Sequence, residues 1–266
     1  MHIQYKTRKW LKEVENFKRF KTCLNEKFNN NELNIIEEFK QSGCLDYLRL
    51  YNCLAGDYRC MSEYHYLNNS ESDEFQTYIF LSGLASLVTL YLHKKGVKTK
   101  YNQIVIDSLN NIDYSLFQLI AVDKVDNVFI KNEEDNLIML MYNQEYDKAK
   151  MILDNLPEIE DVQNEIYYIK PVFLKEIYRS IIEQNEDRFN ECLANRIKKY
   201  RKNMVGYSTI IDIASVALIK MAEKEGIHCT VDVIEIPKLF FDKTHMINKD
   251  EVKLPYYDEF LGLKLR

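Results

Sequence analysis

Phe75-Gln76-Thr77-Tyr78-Ile79-Phe80-Leu81-Ser82-Gly83-Leu84-Ala85-Ser86-Leu87-Val88-Thr89-Leu90-Tyr91-Leu92 is a run without a single charged residue. Its length only just reaches the ~18 apolar residues that cross a bilayer. Gln76, Thr77, Ser82, Gly83, Ser86 and Thr89 dilute it, so the pattern predicts a central helix buried on most sides of a soluble protein. Its flanks agree. Ser70 or Ser72 can cap it, and Asp73 and Glu74 fall in the first turn, where the helix dipole favours acids. His93-Lys94-Lys95-Gly96 follows it, cations and then glycine, which is a stop signal.

The rest of the chain has the same character. Seven glycines and four prolines make up about 4% of 266 residues, against ~12% in ordinary proteins. Sheet-rich folds need a turn every ~8–12 residues, and turns draw on these two residue types. An all-β fold is therefore excluded. So is a glycine-loop nucleotide domain, since neither GxGxxG nor GxxxxGK[ST] occurs.

Outward from the central run, apolar spacing predicts helices over 1–30, from Leu33 to Ser42-Gly43, and from about Leu45, with Leu48, Tyr51, Leu54 and Tyr58 on one face. Beyond it come Tyr101–Leu109, 111–122, Leu137–Tyr142, Tyr146–Leu156, Ile159–Gln184 with Pro171 as a break or a restart, and Glu186–Tyr200. Ser208–Glu223 is apolar and rich in small residues, and Gly226 stops it. Cys229–Ile236 turns β-branched and predicts a short strand or extended segment running into Pro237. Gln144-Glu145-Tyr146 and Gln184-Asn185-Glu186, forty residues apart, each read as a polar corner entering a helix. Two such corners suggest helix-hairpin, repeat-like packing, although an array needs three or more. The expectation is an all-α, multi-helix bundle in one domain over 1–266, divisible if at all into 1–125 and 133–241.

Charge and cysteine narrow the function. The net charge is -5. It argues mildly against nucleic acid as the main partner, because phosphate binding needs a basic face. Such a face would have to come from Arg196, Lys198, Lys199, Arg201 and Lys202. Six cysteines without a CxxC pair read as buried, reduced thiols. The N-terminus lacks the apolar core of a signal peptide. A cytoplasmic location with no membrane partner is expected.

No chemistry-bearing motif stands out. The five histidines show no HExxH spacing, and no GxSxG elbow occurs. His65, between Tyr64 and Tyr66, and Asp212, an acid among apolar residues, are the residues an enzyme reading would inspect first. The bland reading of each is a satisfied side chain. Tyrosine is abundant, and Tyr47, Tyr51 and Tyr58 share a helical face. Tyrosine is enriched at protein interfaces, but an AT-rich coding sequence also produces it.

The region from about 183 to 241 resembles the C-terminal part of the immunity protein 49 family of bacterial polymorphic toxin systems. The likeness lies in Asp187-Arg188-Phe189-Asn190-Glu191-Cys192-Leu193, which follows a D-x-x-F-N-x-x-L corner. It continues through the small apolar helix Ile213-Ala214-Ser215-Val216-Ala217-Leu218-Ile219 and Gly226-Ile227. It ends at Glu235-Ile236-Pro237-Lys238-Leu239-Phe240, where the family has a Y-L-P-x-x-L-like motif. Glu235 stands in place of its Tyr and Ile236 in place of its Leu. The resemblance covers about a fifth of the chain. It implies an all-helical immunity protein, not an enzyme and without cofactor or metal. Such a protein binds a cognate toxin effector and occludes its active site.

Toxins that act on nucleic acid or nucleotides have basic clefts, so acids beside aromatics are the candidate toxin-binding residues. They are Asp154, Glu158, Glu160, Asp161, Glu165 and Tyr168 in one group. The tail supplies Asp250, Glu251, Tyr256, Tyr257, Asp258 and Glu259. A helical-repeat adaptor or scaffold that binds a protein partner is the alternative reading.

Overall fold

The computed structural model describes residues 47–68, 73–99, 112–125, 134–157, 169–203, 210–242 and Leu254. Within them the chain is all-α. The helices are α1 (Tyr47–Asn68), α2 (Glu74–Lys94), α3 (Ile112–Ala121), α4 (Leu137–Tyr142), α5 (Tyr146–Asp154), α6 (Pro171–Ile182), α7 (Glu186–Asn203) and α8 (Ile213–Lys224). A single 3₁₀ turn, Lys238–Phe241, follows. The predicted helices over 1–30, 33–42 and 101–109 lie outside the described residues.

The charge-free run is α2, and 78% of its most apolar window is buried. By length and composition alone α2 could cross a membrane; here the bundle encloses it. It packs along α1 on one side and α3 on another, and α3 in turn packs on α8. α4 bridges α3 and α5, and α6 lies between α5 and α7 while also touching α8. One cluster of buried apolar side chains draws on every described helix, the 3₁₀ turn and Leu254.

Polar groups inside α2 find partners, as burial requires. Ser82 Oγ donates to the Ala55 carbonyl of α1 at 2.7 Å and accepts from Gln118 Nε2 of α3 at 3.0 Å. Gly83 lies at the same crossing. A Cβ there would come within 3.1 Å of Gln118 Cβ and 3.2 Å of the Ser115 carbonyl, so the absent side chain is what lets α3 approach.

Five helices end in the same way. The N–H three residues past the end reaches back to the carbonyl five residues earlier, around a residue with positive φ two past the end. Gly96 and Gly226 fill that position after α2 and α8, as glycine should. Asp123, Gln144 and Gln184 fill it after α3, α4 and α6, with φ of 53°, 62° and 52°. Left-handed backbone costs a non-glycine residue about 1–2 kcal/mol. In a chain so poor in glycine, their side-chain contacts offset that cost.

Three expectations change. α2 is capped at Asp73, which makes no side-chain cap bond, rather than by a serine. α8 begins at Ile213, not Ser208. Residues 210–212 are held out of the helix because the Glu63 carboxylate accepts the N–H groups of Ile210 (2.8 Å) and Ile211 (3.2 Å). The β-branched segment is not a strand. Among the described residues it has no ladder partner, and side chains of α7 take up its backbone instead. Pro171 turns out to restart the chain as the first residue of α6, where its missing N–H costs nothing.

Candidate interaction surface

The corners flagged by the sequence meet at one end of the bundle. Gln144 Nε2 and Gln184 Nε2 both donate to the Glu225 carboxylate, at 2.5 and 3.1 Å, and the Tyr146 hydroxyl donates to it at 2.5 Å. These bonds, Tyr146's foremost, hold the Glu225 carboxyl below its ordinary range. Next to it, Lys224 Nζ donates to the Tyr142 carbonyl at the end of α4 and sits 3.2 Å above the Tyr142 ring. One turn residue after α8 therefore pins both hairpin corners. Two alike corners share one anchor, but a repeat array is not thereby established.

Along the outer face of α5, α6 and α7 runs a ladder of exposed ion pairs. Asp154 accepts from Arg179 at 3.1 Å, and Arg179 also contacts Glu176 at 3.4 Å. Glu176 pairs in turn with Arg188, which reaches Glu183 at 2.8 Å. The Arg188 hydrogen bond holds the Glu176 carboxyl low and the Arg188 guanidinium high. Exposed pairs of this kind contribute little to stability, because water and salt screen them. They form a row of alternating charge on the exposed side of these helices. Met151, one turn before Asp154, is 70% exposed, an unusual position for a large apolar side chain.

Of the toxin-binding candidates, Asp154 belongs to this ladder. Glu158, Glu160, Asp161, Glu165, Tyr168, Asp250, Glu251, Tyr256, Tyr257, Asp258 and Glu259 lie outside the described residues.

The residues of the family resemblance have structural partners. Phe189 and Leu193 are fully buried. Asn190 Nδ2 donates to the His228 carbonyl, and its Oδ1 accepts from the Thr230 N–H at 2.7 Å, so this one side chain grips the segment after Gly226. Glu186 accepts the His228 N–H at 2.8 Å. Glu235, where the family has Tyr, is buried and holds Arg201, with Oε2 2.8 Å from a guanidinium nitrogen.

The basic face required for nucleic-acid binding breaks up. Arg196 is buried and bonds Asp212 at 2.6 Å and Ser215 at 3.0 Å, and Arg201 is taken by Glu235. Lys198 and Lys199 alone of the named cations are exposed among the described side chains.

The two residues singled out for an enzyme are both partnered. Asp212 caps α8, accepting from Ser215 N–H and Oγ as well as from Arg196. His65 contacts Glu74 through Nδ1 at 2.7 Å and stacks on Tyr78 with ring centres 4.9 Å apart. Tyr51 and Tyr58 are buried, so the tyrosine face of α1 serves the core. Among the described residues, no cluster of His, Cys, Asp and Glu could hold a metal ion.

A shallow groove of about 260 Å³ lies between α8 and the 3₁₀ turn, bordered by Ile219, Glu223, Cys229, Val231, Ile236 and Phe241. Burial pushes the Cys229 thiol up to about 11, so it stays protonated at neutral pH.

No protein-family model matches the chain, and neither a curated protein nor a solved structure matches it.

Proposed function

We propose that the chain is a cytoplasmic immunity protein that binds a cognate, basic toxin domain and neutralises it by covering its active site. The observation that supports this reading most is the joining of the resembling elements. They are spread over some fifty residues, yet Asn190, Glu186 and Arg196 tie α7 directly to α8 and to the segment that follows it. On this reading the motif is the framework of the fold and the exposed ladder of α5–α7 is the surface offered to the toxin. A preformed surface loses little entropy on binding, and with three carboxylates (Asp154, Glu176, Glu183) to two guanidiniums (Arg179, Arg188) the ladder is net acidic towards a basic partner. Of the acidic candidates, Asp154 belongs to that surface.

The test is co-expression with the product of the adjacent gene. Cells that die when that product is expressed alone should survive when this chain is present, and the two should co-purify in equal amounts. A harmless neighbour, or a lethal one that this chain neither binds nor blocks, ends the proposal.

The second reading is a helical adaptor for a peptide or partner helix. It draws on the two like corners fixed on Glu225. It gains if several unrelated partners are recovered and no protection is seen.

A further inference from the structure

The β-branched segment after Gly226 has the geometry of a strand but no strand beside it. Burial alternates along it: Ile227, Cys229, Val231 and Val233 are buried or half-buried, and His228, Thr230 and Asp232 are exposed. That period of two belongs to extended chain. Its backbone bonds keep to one side. The His228 N–H donates to Glu186 at 2.8 Å, the His228 carbonyl accepts from Asn190 Nδ2 at 2.9 Å, and the Thr230 N–H donates to Asn190 Oδ1 at 2.7 Å. All three partners are on α7. In extended chain the backbone groups of the intervening residues, Cys229 and Val231, point the opposite way. Among the described residues those groups meet no oxygen or nitrogen partner. Val231 meets only the Cys229 sulfur, 3.9 Å from its carbonyl.

An unpaired edge of this kind is a template for another strand. Cys229 and Val231 also border the groove of about 260 Å³, together with Ile219 and Glu223 of α8, Ile236 and Phe241. Glu223 is exposed and has no ion-pair partner among the described residues, whereas Asp232 at the rim is paired with Lys238 at 2.9 Å.

We propose that the open edge at Cys229 and Val231 is a docking site for an extended segment of a partner protein, which adds as a strand and lays alternate side chains in the groove. The edge selects the occupant. A row of free backbone groups pairs with another extended backbone, not with a helix, whose own groups are bonded internally. Ile219, Ile236 and Phe241 select apolar side chains at every second position of that segment, and Glu223 selects a Lys or Arg. This surface is separate from the ladder on α5–α7 and does not depend on the immunity reading.

The test is selection of phage-displayed random peptides on the immobilised chain, followed by titration of the selected peptides into wild type and two variants. Val231→Pro removes an N–H of the open edge, and Glu223→Lys reverses the exposed charge. The expected result is enrichment of peptides with alternating apolar residues and a Lys or Arg. Their affinity should fall about tenfold in Val231→Pro and severalfold in Glu223→Lys. Hydrogen exchange at the Cys229 and Val231 amides should slow when peptide is bound. No enrichment, or peptides that bind both variants as they bind wild type, overturns the proposal. Glu223→Lys, at an exposed position, keeps the test decisive if Val231→Pro fails to fold. A chain that is a dimer by itself and a monomer as Val231→Pro also overturns it, because the edge then belongs to a second copy.

Discussion

The molecule carries two sets of ion pairs, and they do opposite work. Around residues 210–212 and 234–236 the charges are inside: Arg196 with Asp212, Arg201 with Glu235, and Glu63 on two backbone amides. Across α5–α7 they are outside, in the ladder from Asp154 to Glu183. Buried charges leave water at a cost of several kcal/mol each, so each must meet a specific partner. That requirement fixes how the ends of α7 and α8 and the segments flanking α8 lie. The outer pairs carry no such penalty and contribute almost nothing to stability. The inner set specifies the shape, and the outer set is free to serve recognition.

The contrast breaks if the inner set proves dispensable. Asp212→Ala leaves the Arg196 guanidinium buried without its carboxylate and removes the cap of α8. We expect a loss of about 3–5 kcal/mol in chemical denaturation. A loss below ~1 kcal/mol would place this pair with the surface ones. Gly83→Ala probes the apolar counterpart of the same interior. The added methyl meets the α3 backbone and should cost about 1–3 kcal/mol.

Glu225 lies between the two extremes, half-buried and multiply bonded. Glu225→Gln keeps its shape and removes its charge, with an expected cost of about 1 kcal/mol at pH 7. The sign with pH follows from the bonds. A carboxyl held low in the folded state stabilises above its unfolded value of ~4.3 and loses that contribution as pH falls through the folded value. Wild type and Glu225→Gln should therefore differ in Tm at pH 7 and converge near pH 3. A difference that persists in acid would assign the effect to shape rather than charge.

The smallest effect belongs to the ladder. Arg179→Ala should change stability by no more than about 0.5 kcal/mol. A larger loss would make the outer face structural and weaken its assignment to binding.

What the sequence could show follows the same division. α2 was legible because burial on most sides erases charge from a whole run, and its stop at Gly96 because cations and a glycine mark a helix end. The corners at Gln144 and Gln184 were legible as polar breaks, but not as left-handed residues, since glutamine gives no sign of positive φ. Their shared anchor was not legible either. Glu225 lies 81 residues from Gln144 and 41 from Gln184, and nothing local points from one to the others. Glu63 joins residues 147 positions away for the same reason. Glu235 read as a departure from a family motif, yet it is the buried partner of Arg201. Nothing in the sequence kept Arg196 and Arg201 out of a possible basic face, because a helix of low apolar content looks exposed throughout. Of the two forms expected at 229–236, a strand or an extended segment, the strand is absent because β-branched residues predict an extended backbone without supplying a neighbour to pair with. Of the acidic candidates, Asp154 falls in the exposed charge network through Arg179, a partner 25 residues away that no local pattern names.

The most direct test joins the two sets in one assay. Cells expressing the adjacent gene product would carry either the wild-type chain or one with Asp154, Glu176 and Glu183 changed to Lys, and the Tm of each purified chain would be measured. The expected result is survival with the wild type, death with the triple variant, and Tm values within a few degrees of each other. Equal survival with both chains would contradict the claim that this face, freed of structural duty, is the one that meets the toxin.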